Sequence, residues 1–236
     1  MTNGSTGRVV GGARVALAVL ALGCVRPAAT DPAVAAPIAA AECCTAFERG
    51  VLDEINRART DPTLVAAELE ARLPNYRGNI YRAPAADVGV RTVEGASAVR
   101  EAVRVLRATR PLTALRFSRG LSAGAADHVR DQGPRGGLGH QGTDRSVPAT
   151  RASRYGRWFG IVSENIQYGR TATARDVVAD LLVDDGVPDR GHRRNMLDPL
   201  VRVAGVACGP HANYGQMCVI LHAADYAEAP TSRPSR

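Results

Sequence analysis

Helical periodicity fills most of this chain and the strand-like runs close it, an order that leaves no room for repeated βαβ units. Phe47, Val51, Leu52, Ile55 and Ala58 recur at helical spacing and predict a helix over residues 45–59. Asp61-Pro62 reads as a cap followed by proline at the first helical position, opening a helix to about Arg72. Ala98, Val99, Ala102, Val103, Val105 and Leu106 mark the next helix, which ends before Pro111. Ser118 can cap a long helix through Gln132 with Leu121, Ala125 and Val129 inward. Thr173-Ala174-Arg175-Asp176 resembles a capping box with Asp in place of Glu, and it leads Val177, Val178, Leu181 and Leu182 onto a buried face. Strands are expected at about Val201 to Cys208 and Gln216 to Ala224, joined by a turn-rich stretch.

Between these elements the sequence predicts connections. Pro74, Gly78, Pro84 and Gly89 make residues 73–92 a long loop, and residues 133–148 form a flexible glycine-rich loop. A helical turn covers Pro148 to Tyr155, with Trp158 and Phe159 packing the loop after it. A short extended piece runs from Ile161 to Tyr168, and Asp184 to His192 is a turn. Helices first and short strands last give an α+β layering, which argues against a dinucleotide fold. The glycines at 136–142 do not restore one, since no strand precedes them and no helix follows at once.

The 236 residues suffice for one domain. Residues 1–41 read as leader and linker, 42–227 as the domain and 228–236 as a flexible tail. Only 4% of residues are aromatic, so the core must rest on Val, Leu, Ile and Ala. All 30 cations are arginines and the net charge is +7. They are scattered among acids without a pure run, which reads as a solvated surface; a polyanion partner is the other reading. No basic motif with interleaved aromatics appears, so a nucleic-acid partner is not expected.

Arg8 and Arg14 precede the apolar run Val15 to Val25, which has the length of a signal h-region. Two readings of its processing stay open. Ala33-Val34-Ala35-Ala36 offers an Ala-x-Ala cleavage site, whereas Ala21-Leu22-Gly23-Cys24 would place a lipid on Cys24 and tether the domain. No window approaches the ~18–20 apolar residues a membrane span needs, so membrane attachment is expected only through that lipid. Export would allow disulfides. Cys208 and Cys218 flank the closing turn and can be bridged across facing strands; Cys43 and Cys44 are adjacent and would bridge each other only with strain.

Four polar residues in the second half could carry chemistry. His140 and His192 lie in loops, Glu164 is an acid within an apolar run, and Asp184 ends a helix. Two imidazoles and two carboxylates suit a divalent cation, zinc above all, and could activate a water. The other reading is four separate structural residues, since spacings of 24, 20 and 8 are no motif. His128 falls beside the inward helix face and reads as packing, His211 as an exposed turn residue, and His222 as a satisfied sheet histidine.

Taken together, four blocks resemble the CAP superfamily of cysteine-rich secretory, antigen 5 and pathogenesis-related 1 proteins. They are Gly139-His140-Gln141-Gly142, Ser163-Glu164-Asn165-Ile166, Gly191-His192-Arg193-Arg194-Asn195-Met196-Leu197-Asp198-Pro199, and Val203-Ala204-Gly205-Val206 in the closing hairpin. The resemblance spans Phe47 to Tyr226 and is nearest the exported prokaryotic branch. It implies a three-layer α-β-α sandwich with a small antiparallel sheet and a central cavity lined by two histidines and two acids. Those would be His140, His192, Glu164 and, for the fourth, Asp184 with Asp185 next. The 73–92 loop exceeds what a minimal bacterial member needs, and the cysteines do not follow the eukaryotic pattern. Proteins of this kind bind divalent cations, sterols, lipids or proteins, with no shared reaction. The expectation is a monomeric secreted or envelope-associated binding protein, taking a cation and a small apolar ligand or envelope component. The alternative is a metal-assisted hydrolase with Glu164 as general base. Ser163 is disfavoured as a nucleophile because adjacent strand residues face opposite ways.

Overall fold

The computed structural model describes residues 44–84, 86–169 and 173–230; the leader with Cys24, and Cys43, lie outside them. The chain opens with helices α1 (Ala46–Thr60) and α2 (Pro62–Glu70), followed by α3 (Ala96–Ala108) and α4 (Arg119–Gln132). Later come α5 (Pro148–Ser153), α6 (Ala174–Val183) and α7 (Gly191–Met196). Their starts follow the local chemistry. Thr45 and Glu48 form a reciprocal capping box on α1, Asp61 caps α2 ahead of Pro62, and Ser118 and Thr173 cap α4 and α6.

Four strands form the central sheet: β4 (Arg116–Phe117), β5 (Gly156–Tyr168), β6 (Val203–His211) and β7 (Gly215–Glu228), in the order β4-β6-β7-β5. The β6–β7 hairpin and the β5–β7 pair are antiparallel, while the two-residue β4 lies parallel to β6. Alternation along β6 and β7 sends residues to two cores. Ala204, Val206, Cys218 and Ile220 face α1, α2, α3 and α6; Val203, Ala207, Val219 and Leu221 face α4. This is the α-β-α sandwich, with the sheet as its middle layer. Gly205 sets how closely α4 approaches, because a Cβ there would lie 2.1 Å from the Ser122 nitrogen. Cys208 and Cys218 are register partners and form a disulfide, their Cα atoms 4.1 Å apart.

The structure corrects several expectations. Residues 73–92 contain three two-residue strands, β1 (Tyr76–Arg77), β2 (Ile80–Tyr81) and β3 (Val90–Arg91), paired antiparallel. Such short strands leave no readable alternation. The extended piece at 161–168 is the end of a 13-residue strand, interrupted by an irregularity between Phe159 and Val162 that hides its periodicity. Residues 191–196 are helical rather than the end of a turn. His211 is buried, not exposed. Its Nε2 lies 2.8 Å from the Gly137 carbonyl and its Nδ1 accepts from Tyr214 N–H.

His222 is the other surprise: fully buried, it makes no hydrogen bond with either ring nitrogen among the described residues. Burial, with Arg59 adding to it, pushes its pKa down to about 3. The unfolded chain therefore takes up a proton near pH 6.5 that the folded chain refuses until about pH 3. Stability falls as pH drops through that window, by up to about 1.4 kcal/mol per pH unit from this residue. Urea unfolding of His222→Phe is expected to show a shallower pH dependence between pH 6 and 4. An unchanged slope would contradict this account.

Candidate functional site

Glu164 starts from strand alternation. It lies opposite Leu221 on the α4 side of the sheet, while its neighbours Ser163 and Asn165 point to the other side. The carboxylate is 1% exposed and both oxygens are used. Oε1 lies 2.9 Å from His140 Nδ1, and Oε2 accepts from Arg151 Nη2 at 2.6 Å. Arg151 projects from α5, equally buried, and also donates to the His140 and Ser146 carbonyls. One guanidinium thus neutralises the acid and fixes the backbone of the loop that carries the histidine.

The glycine-rich loop is pinned rather than flexible. His128 Nε2 meets the Gly139 carbonyl at 2.9 Å, and Tyr168 Oη accepts from Gly139 N–H at 3.0 Å. Gln132 Nε2 donates to the Leu138 and Gln141 carbonyls. With His211 on Gly137, side chains from α4, β5 and β6 occupy successive backbone groups of residues 137–141. Burial holds the His128 pKa below its ordinary value.

His192 is built differently. Helix α6 ends at Asp184 in the left-handed conformation (φ 57°), which aspartate tolerates better than most residues. That bend turns the carboxylate onto the start of α7. Oδ1 lies 2.6 Å from His192 Nδ1, and Oδ2 accepts from the backbone N–H of His192 and Arg193. Asp184 is buried. Arg190, also left-handed (φ 51°), is held by both oxygens of Glu94, by Glu101 and by the Asp184 carbonyl. Asp185 does not face the histidine; it accepts from Val93 and Glu94 N–H, clamping the segment after β3 to the turn.

The four residues form two histidine–acid pairs, His140 with Glu164 and His192 with Asp184. Asn165 connects them: its Nδ2 donates to the His192 carbonyl at 2.9 Å, one residue along β5 from Glu164. Asn195 Nδ2 in turn donates to Asn165 Oδ1. An ionised carboxylate only accepts, so each imidazole directs an Nδ1–H at its acid and turns Nε2 away from it. Neither Nε2 has a hydrogen-bond partner among the described residues, and the rings are 51% and 23% exposed against 1% for each acid. No group of three His, Cys, Asp or Glu placed to hold a metal occurs among the described residues. Of the supporting residues, Asn165 and Asn195 sit inside blocks the sequence marks. Arg151, Glu94 and Arg190 gave no local signal, because their partners are distant in the chain.

Arg151→Met would leave the Glu164 carboxylate buried without its cation. Chemical unfolding is expected to show a loss of about 3–5 kcal/mol. A loss under about 1 kcal/mol would mean that the pair does not organise the site.

A family model described as the cysteine-rich secretory protein (CAP) family matches residues 52–222. No curated protein matches the chain. Among solved structures, an outer surface protein of Borrelia burgdorferi is similar, with 18% identity over 48% of this chain and 78% of that one and a TM-score of 0.40. An extracellular protein containing an SCP domain from Bacillus anthracis shows 15% identity over 51% of this chain and 36% of that one, with a TM-score of 0.37. Likenesses this distant carry no argument here, whereas the family match covers well over half the chain.

Proposed function

This chain belongs to the cysteine-rich secretory protein (CAP) family, and from that premise we propose that it is an extracytoplasmic binding protein whose two imidazoles take a divalent cation of the zinc class. The observation that carries the reading is the orientation of both rings: a buried carboxylate on Nδ1 leaves Nε2 on the free side of each ring. Carboxylate-oriented histidines are the usual first ligands of zinc, and the acid raises their basicity. The donor chemistry fits. His140 and His192 would hold the ion, Glu164 and Asp184 would orient them, and water or a bound ligand would complete the coordination. A bound cation would supply a positive centre for an oxygen-bearing ligand. The Cys208–Cys218 disulfide and the leader-like N-terminus support a place outside the reducing cytoplasm.

A cavity of about 250 Å³ supports the small apolar ligand as a second element of this reading. It opens between α1, α2 and α6 over Val65, Leu69, Val178 and Leu182, with Glu54, Glu68, Arg72 and Arg175 also lining it, and none of the four site residues lines it. The hydrolase alternative is less well supported. A general base must reach a water's proton, and both Glu164 oxygens are already taken by Arg151 and His140.

Calorimetric titration with zinc is expected to give binding that disappears in the His140→Ala/His192→Ala double variant. Asp184→Asn, which keeps the shape but weakens the orienting bond, should lower affinity by about 10–100-fold. Equal weak binding by wild type and the double variant would refute the cation reading.

A further inference from the structure

The excess of arginine is not evenly solvated. Arg57, Arg154, Arg190 and Arg193 each hold one or two carboxylates. The outer face of α3 differs. Arg100, Arg104 and Arg107 are all exposed. With 3.6 residues per turn they fall within an arc of about 60°, strung along about 10 Å of helix. Of the three, only Arg107 has a carboxylate partner among the described residues, Glu70 at 2.6 Å. Arg110 is exposed just beyond the helix end at Ala108. No acid balances the row from its own helix: Glu101 lies about a quarter turn away, engaged with Arg190 and Arg193.

We propose that this arginine row is a binding surface for a linear phosphate-bearing polyanion. Successive guanidinium groups rise by about 6 and 4.5 Å along a straight helix, so they present a line of charge to a line of charge. Each planar fork can take two phosphate oxygens. A bilayer is the poorer match. An interfacial helix must offer an apolar face to the acyl boundary, and that face of α3 (Ala98, Val99, Ala102, Val103 and Leu106) is already buried in the core.

The test measures binding of inorganic polyphosphate to the purified chain across a salt series, beside phosphatidylglycerol vesicles. Two variants with the same net charge are compared: R100E/R104E, and R119E/R157E, whose arginines are exposed on α4 and β5. Wild type and R119E/R157E are expected to bind polyphosphate alike. R100E/R104E should lose binding by at least about tenfold, with the slope of log K against log salt reduced by about 2. If R100E/R104E fails to give a normal thermal melt, R100Q/R104Q decides with the same expectation. Equal loss in both glutamate variants, no polyphosphate binding at low salt, or tighter binding to the vesicles would each overturn the proposal.

Discussion

A carboxylate almost without solvent is the constraint on which the proposed site depends. Glu164 sits inside the sandwich because strand alternation puts it there, and an isolated charge in that place would cost several kcal/mol. Arg151 offsets the cost and also donates through its terminal nitrogens to carbonyls of the loop that carries His140. The acid in turn fixes the imidazole. Charge neutralisation, loop conformation and ring orientation are thus one problem solved by three side chains from α5, β5 and the glycine-rich loop.

The second pair solves the same problem with backbone geometry. Asp184 ends one helix, begins the next with its carboxylate, and orients His192, all within nine residues. Strand β5 joins the two solutions because it is an edge strand of the sheet and its residues alternate. Glu164 serves one face and Asn165 the other, so neighbouring side chains reach opposite layers of the sandwich. Arg59 closes the frame from α1: fully buried, it donates to the carbonyls of Thr113, Met196, Asp198 and Val201, holding the chain between α7 and β6.

Much of this was legible beforehand, for physical reasons that can be named. Caps such as Ser118 and Thr173, and apolar periodicity in α1, α3 and α6, are local properties and mark their helices directly. The facing cysteines of the closing hairpin followed from turn chemistry. Partnership is not local, and there sequence reasoning stopped. Nothing near Arg151 announces a buried ion pair, nothing near His211 announces that it supports a glycine loop, and Asp184 differs from Asp185 only through the bend that separates their carboxylates. The arginine excess looked scattered along the chain because helical geometry, not sequence adjacency, gathers three of its members on α3.

The proposed cation site turns on which nitrogen of the His140 and His192 rings bears the proton. Long-range proton–nitrogen correlation spectra of the metal-free protein at neutral pH, assigned through His140→Gln and His192→Gln, read this directly. The expected result is that both rings are protonated at Nδ1 with an unprotonated Nε2 facing outward. Finding either ring protonated at Nε2 instead, with a bare Nδ1 against its carboxylate, would contradict it.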